Sequence, residues 1–262
     1  MQKVGFLNSS TFCLFRSSHQ CFFVTFGIYY SLMRISLLPA LLIGGLLACF
    51  SCRPVSPDQP DPGYLFFPLE TGRYTIYNVT DSVYTLTSPK VWRTYQIKEV
   101  TGPVYTDVTG QKAYQLQRYR RLNEQQPWQP DSVWTARLVN GEAIRNENGK
   151  DYVKLVFPIG NRVRWDGNKW NAMGEDTYEM RNTSRPFRVL DKLFDETVTV
   201  VQQNDSTLVS QDKRIEVYAK EVGLIYREKA ILQLCQSGPC VGKAEINSGI
   251  RQTYRILTYG KE

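Results

Sequence analysis

Beyond Tyr74 the apolar residues recur at every second position, in short runs that end on Gly, Pro, Asn or Asp. A period of two puts successive side chains on opposite faces of an extended strand. An amphipathic helix needs a period of about 3.6, so the pattern commits the chain to half-buried β-strands. Tyr95 and Ile97 alternate with Gln96 and Lys98, and Tyr114 and Leu116 alternate with Gln115 and Gln117 after a turn at Thr109-Gly110. Trp134, Ala136 and Leu138 share one face of the next strand, which runs into Asn140-Gly141. That pair is a strong hairpin signal, because both central residues of a type I′ turn need positive φ. Asn148-Gly149 separates this arm from a strand over residues 152–157. Residues 74–79 and 82–86 predict a strand pair around Thr80-Asp81, and strand patterning returns over 197–202, 214–220, 224–228, 231–235 and 250–258, with a break at Gly223. One stretch departs from the pattern. Ser184-Arg185-Pro186 reads as a hydroxyl cap with proline in the first turn, followed by Phe187, Leu190 and Phe194 at helical spacing. The expected fold is all-β: a strongly curved antiparallel sheet or open β-barrel with one short helix, in a single domain over residues 64–262.

The chain ahead of that domain carries a different message. Met33-Arg34 precedes an apolar run, residues 35–47, that ends on Leu46-Leu47-Ala48-Cys49. A positive start, a short apolar core and a small residue at the cut make an export signal over residues 33–48. The stretch resembles the lipobox of bacterial lipoproteins, with Leu46, Ala48 and Cys49 at the characteristic positions, which implies lipid attachment at Cys49; Cys52 is the alternative. One acyl chain holds a protein only marginally, so stable anchoring takes two or more. As a transmembrane span the run is short of roughly 20 apolar residues, and it contains Pro39, Gly44 and Gly45. Residues 1–32 hold no acidic residue and read as a misassigned start or an extension before the signal. Residues 49–63 form a tether, with Pro54, Pro57, Pro60 and Pro62 favouring an extended, semi-rigid spacer.

Removing residues 1–48 takes away Lys3, Arg16 and Arg34, leaving 32 − 3 = 29 basic against 25 acidic residues, a net charge of +4. That is an ordinary surface, and nucleic acid is not an expected partner. Arg118-Tyr119-Arg120-Arg121 reads as a solvated strand end. His19 is the protein's one histidine and lies ahead of the cut, so histidine-based triads and the commonest metal ligand are excluded from the mature part. Cys235 and Cys240 flank Gln-Ser-Gly-Pro, which is neither a Cys-x-x-Cys redox pair nor half of a zinc site; in an oxidising envelope they are expected to form a disulfide. Carboxylates are the remaining catalytic candidates, at Asp166, Glu175-Asp176 and Asp195-Glu196. Adjacent acidic residues in loops are usually solvated, so no catalytic residue, metal or cofactor is assigned. Trp165, Trp170 and Tyr178 either contact a ligand or plug one end of the sheet. Asp81-Ser82-Val83, Asp131-Ser132-Val133 and Asp205-Ser206-Thr207 match a short acceptor pattern for protein O-glycosylation.

Three further segments, Phe67-Pro68-Leu69-Glu70-Thr71-Gly72-Arg73-Tyr74, Trp165-Asp166-Gly167-Asn168 and Val217-Tyr218-Ala219-Lys220-Glu221-Val222-Gly223-Leu224-Ile225, resemble a group of uncharacterised envelope lipoproteins of Bacteroidota. Glu221 stands where that pattern carries glycine, which argues against a tight bend there. The resemblance implies an envelope lipoprotein and no particular activity. With no acidic residue directly after Cys49, the expected location is the outer membrane, on either face. The expected function is non-catalytic docking onto an envelope protein or glycan. The alternative is a carrier holding a lipid or other apolar ligand on the concave face of the sheet. An apolar cavity of roughly 300 Å³ or more favours the carrier, and a filled interior favours docking.

Overall fold

The computed structural model describes residues 61–262 except Pro89. The export signal, Cys49, Cys52 and most of the tether lie outside the described residues. Twelve strands follow in chain order: β1 (Arg73–Tyr84), β2 (Val91–Thr106), β3 (Lys112–Arg121), β4 (Gln129–Val139), β5 (Glu142–Glu147), β6 (Lys150–Val156), β7 (Arg164–Asp166), β8 (Thr177–Val189), β9 (Lys192–Ser206), β10 (Ser210–Ala219), β11 (Gly223–Leu234) and β12 (Ile246–Lys261). All belong to one antiparallel sheet ordered β6-β5-β4-β3-β2-β1-β12-β11-β10-β9-β8-β7. Each strand therefore pairs with its chain neighbours, except β6 with β7, and β12 returns to β1.

The two ends of this sheet, β6 and β7, are consecutive in the chain and nearly meet. The Val153 N–H donates to the Gly167 carbonyl at 2.9 Å, and the Trp165 indole N–H donates to the Val153 carbonyl at 2.8 Å. The result is a nearly closed barrel with one loosely zipped seam. Register shifts, as at Ile76/Tyr77, Thr101/Val104 and Val217/Tyr218, supply the bends that coil the sheet.

Local chemistry explains most turns. Asn140 and Gly141 adopt φ 50° and 76°, and Asn148 and Gly149 adopt 53° and 81°, as type I′ hairpins require. Four expectations fail. No turn forms at Thr80-Asp81: β1 runs through, because β2 and β12 pair along both its edges and hold it extended. Residues 223–234 likewise form one strand where two were expected. No α-helix occurs among the described residues, and the segment read as a helix is a hairpin. Phe187 and Phe194 face each other across β8 and β9 around a turn at Leu190, which takes φ 54°. Pro186 sits between register shifts, where its missing N–H removes no ladder bond. The apolar 187/190/194 spacing satisfies a hairpin as well as a helix, and pairing with neighbouring strands decides. Glu221 adopts φ 63° and makes the bend that its lack of glycine argued against. Its N–H is held by the Leu65 carbonyl at 2.8 Å.

That contact belongs to a plug. Pro62 accepts from the Ile159 N–H at 3.0 Å, so the end of the tether already lies against the barrel. Gly63 turns at φ 90°, a 3-10 turn follows over Tyr64–Phe66, and Phe66 and Phe67 are buried among the inward residues of the strands. Twelve strands enclose more space than their own side chains fill, since about eight is the number whose interior side chains just fill. The N-terminal segment fills the excess at one end.

Candidate functional site

Opposed residues in neighbouring strands share a face, which fixes what points inward. On β2, Tyr95, Ile97 and Glu99 alternate inward, opposite Val79 and Tyr77 of β1; on β12, Tyr254 and Ile256 follow suit. Under the plug this inner face is mostly apolar, lined by Phe67, Leu69, Tyr77, Leu116 and Leu224, with a residual void of about 60 Å³. Farther along the same strands the lumen opens into a cavity of about 850 Å³ that is accessible from the opposite end.

A belt of buried charge separates the two. Glu99 receives Arg145, in a close ion pair, and Arg118 at 3.5 Å. Glu147 takes Arg145 at 3.4 Å, Lys154 at 3.0 Å and Arg227 at 2.8 Å. Glu216, 2 % exposed, takes Lys154 at 3.0 Å, Arg227 at 2.7 Å and the Tyr218 hydroxyl at 2.6 Å. The Arg118 guanidinium also lies 3.7 Å from the Trp134 ring centroid, with Arg145 at 4.8 Å from the same ring. Four cations meet three glutamates, and Asp131, 3.7 Å from Arg118 toward the cavity, evens the count. Burial alone pushes the Glu216 carboxyl up, but Arg227 and Lys154 outweigh it and hold it at about 2. Glu147 is likewise driven up by burial and held well below the usual range by Arg227, Lys154 and Arg145. Both are therefore ionised at neutral pH and are not proton donors of the kind glycoside cleavage needs.

Above the belt, Arg214 grips Asp176 through two nitrogens at 2.6 and 3.2 Å and also bonds Asp212 at 2.8 Å. The Arg120 guanidinium lies over Tyr95, 3.9 Å from its ring centroid. Lys229 completes this wall, its ammonium made less basic by burial and by Arg227 and Arg214.

The candidate residues do not converge on one place. Tyr178 is buried beside the cavity, and desolvation raises its hydroxyl pKa. Trp165 packs edge-on to Tyr178 at 5.9 Å and closes the seam. Trp170 is 48 % exposed on the outside, donating to Glu142 at 2.8 Å. Asp166 is turn chemistry, accepting from the Asn168 and Asp176 N–H groups at 2.9 and 3.0 Å. Asp195 and Glu196 are exposed on β9, away from Asp176 in the lumen. Arg118 corrects the reading of a solvated strand end: it is 6 % exposed within the charged belt, because closure of the barrel turned that face inward. Ser82 is 4 % exposed, which removes it as a glycan acceptor. Cys235 and Cys240 lie at disulfide distance, Cα atoms 5.9 Å apart, in the loop after β11. Among the described residues no group of three or more His, Cys, Asp or Glu could hold a metal.

The belt itself was missed by sequence reasoning. Its signal is charge at alternate positions close to apolar residues: Glu216 after Ile215, and Arg145 and Glu147 after Ala143 and Ile144. Such a stripe ordinarily marks a solvated face.

No protein-family model matches the chain, and no curated protein does. Among solved structures, a candidate lipoprotein from Parabacteroides distasonis is similar at a TM-score of 0.39 and 11% identity, over 77% of this chain and 100% of that one. At that level the likeness assigns neither fold nor function.

Proposed function

We propose that this protein is a lipid-anchored envelope module, attached to the outer membrane through Cys49, that binds a small polar ligand without transforming it. One observation carries the reading: the 850 Å³ lumen, open at one end and walled by arginine, lysine and carboxylate side chains. The size suits a small-molecule site, but the walls are wrong for a lipid tail. Apolar chains gain nothing from desolvating charged groups, whereas a polar ligand replaces the water they lose. A charged lumen thus argues against a lipid carrier, and its open volume argues against a pure docking domain. Pro62 lies at the plugged end of the barrel, opposite the mouth.

A second reading, docking onto an envelope protein, draws support from the β1–β2 hairpin, where Leu86 and Trp92 are 77 % and 63 % exposed. Native mass spectrometry of protein taken from its own envelope fraction separates the readings. A co-purified polar small molecule is the expected result; a phospholipid in the lumen would sink the proposal, and a bound protein with an empty lumen would favour docking. Cys49→Ala is expected to release the protein into the soluble fraction, which tests the anchor independently of the ligand.

A further inference from the structure

The four adjacent strands β3, β2, β1 and β12 hold only two acidic residues, Asp81 and Glu99. Both point into the barrel, Asp81 bonded by Arg93 at 3.0 Å and Glu99 within the charged belt. The outer face of these strands therefore carries no carboxylate of its own. The register lays out what it does carry. Trp92, Ser82 and Arg251 form one row across β2, β1 and β12, and Thr94, Thr80 and Thr253 form the next. Arg121, Gln96, Asn78 and Arg255 form a third row that takes in β3. These residues alternate with Tyr95, Arg120, Gln252 and Tyr254, which line the lumen, so they face out. At the hairpin between β1 and β2, the Lys90 ammonium lies 4.6 Å from the Trp92 ring centroid and 5.2 Å from that of Tyr84.

Lys90, Arg121, Arg251 and Arg255 have no carboxylate within 4.0 Å among the described residues. At the borders of the face Glu228 and Glu262 each already hold a lysine, Lys213 at 2.9 Å and Lys98 in a close pair. Glu124 and Glu245 stand in the loops beyond its edge. One side of the barrel thus gathers four cations free of carboxylates, and its complement is a surface of negative charge. The same hairpin supplies apolar contact, with Leu86 77 % and Trp92 63 % exposed. Indole, aliphatic chain and ammonium side by side suit the headgroup level of a bilayer: the ring spans the boundary between apolar and wet, and lysine extends its charge to the phosphates. The core of a protein interface, by contrast, is depleted in lysine.

We propose that this face, led by the β1–β2 hairpin, lies against a membrane surface containing anionic lipid, with Leu86 and Trp92 among the headgroups and Lys90, Arg121, Arg251 and Arg255 over their phosphates. Hydrogen exchange of the full-length protein tests this on vesicles of equal parts phosphatidylcholine and phosphatidylglycerol, on vesicles of phosphatidylcholine alone, and with heparin as a soluble anionic glycan. Amides of residues 84–93 are expected to exchange at least about fivefold more slowly on the mixed vesicles than on the neutral ones, the effect of a single cation near such a surface. High salt is expected to abolish the difference. Lys90→Gln/Arg251→Gln is expected to lose the protection, and so is Trp92→Ala. Arg185→Gln/Arg188→Gln, which removes the same charge across the barrel on β8, is expected to keep it. The Lys90/Arg251 variant breaks no ion pair, so its unfolding midpoint is expected to hold. Equal exchange on both vesicles, protection retained by the Lys90/Arg251 and Trp92 variants, or a loss shared by the β8 variant would overturn the proposal. Protection by heparin and not by vesicles, or a protein found bound over residues 84–93 in the envelope fraction, would also overturn it. An unacylated chain that still docks on the mixed vesicles would support it while removing the anchor at Cys49.

Discussion

The two ends of the barrel are built from the same strands and solve the same problem differently. At the plugged end Phe66 and Phe67 come in from the N-terminal segment and pack on Tyr77, Leu116, Ala136 and Leu224. That is ordinary close packing, and it reduces the void to about 60 Å³. At the open end no segment of the described residues enters, and the wide lumen is spanned by long charged side chains that pair with one another around an 850 Å³ space. The difference teaches where each property resides. Apolar burial at the plug stabilises the fold without specifying a ligand. The charged belt contributes little net stability against a hydrophobic replacement, yet losing one partner is severe, because the others remain buried and unpaired.

The largest expected effect comes from that asymmetry. Glu216→Ala leaves Lys154 and Arg227 short of a carboxylate in the barrel centre and is expected to lower unfolding stability by about 3–5 kcal/mol in urea titration. The pH dependence follows in sign. Glu216 is held at about 2 in the folded protein against 4.5 for the free group, so its stabilisation is fully present above about pH 4.5 and drains away as pH falls toward 2. Urea midpoints measured across this window should slope steeply for the natural protein and more gently for Glu216→Gln.

Phe66→Ala attacks the other half. It removes a buried ring from the stopper at a site that can partly collapse, and a loss of about 3 kcal/mol is expected. Ligand affinity should survive, since Phe66 does not border the large cavity; an equal loss of affinity would mean that the two ends are not separable. A smaller effect is expected at the seam. A Cβ on Gly167 would stand 2.3 Å from the Tyr178 ring, so Gly167→Ala should cost about 1–3 kcal/mol and raise amide exchange at Val153, whose N–H bonds the Gly167 carbonyl. Unchanged exchange there would show that the seam is not held by this contact. Trp170→Ala, outside both halves, should change stability by no more than about 0.5 kcal/mol and leave affinity alone.

Much of the framework was legible in the residues. The alternation placed most strands, and Asn140-Gly141 and Asn148-Gly149 announced their hairpins because few residues tolerate positive φ. The errors share one cause. Residues 184–194 show a spacing compatible with helix and hairpin, and Thr80-Asp81 has turn-prone composition inside a strand held on both edges. In each case pairing with distant strands outweighed local preference. The candidate site was harder to see. Trp165, Trp170 and Tyr178 are near in sequence but face the seam, the outside and the lumen. The residues that do line the lumen are charges that look like any solvated strand face.

The sequence by itself determined that this chain forms antiparallel strands and where most of them turn, because those outcomes depend on side-chain alternation and on φ preferences within a few residues. Only the tertiary structure decided which face of each strand became the inside. Closing twelve strands into a ring turned charged stripes inward, and the width of that ring left them a cavity at one end and needed a plug at the other.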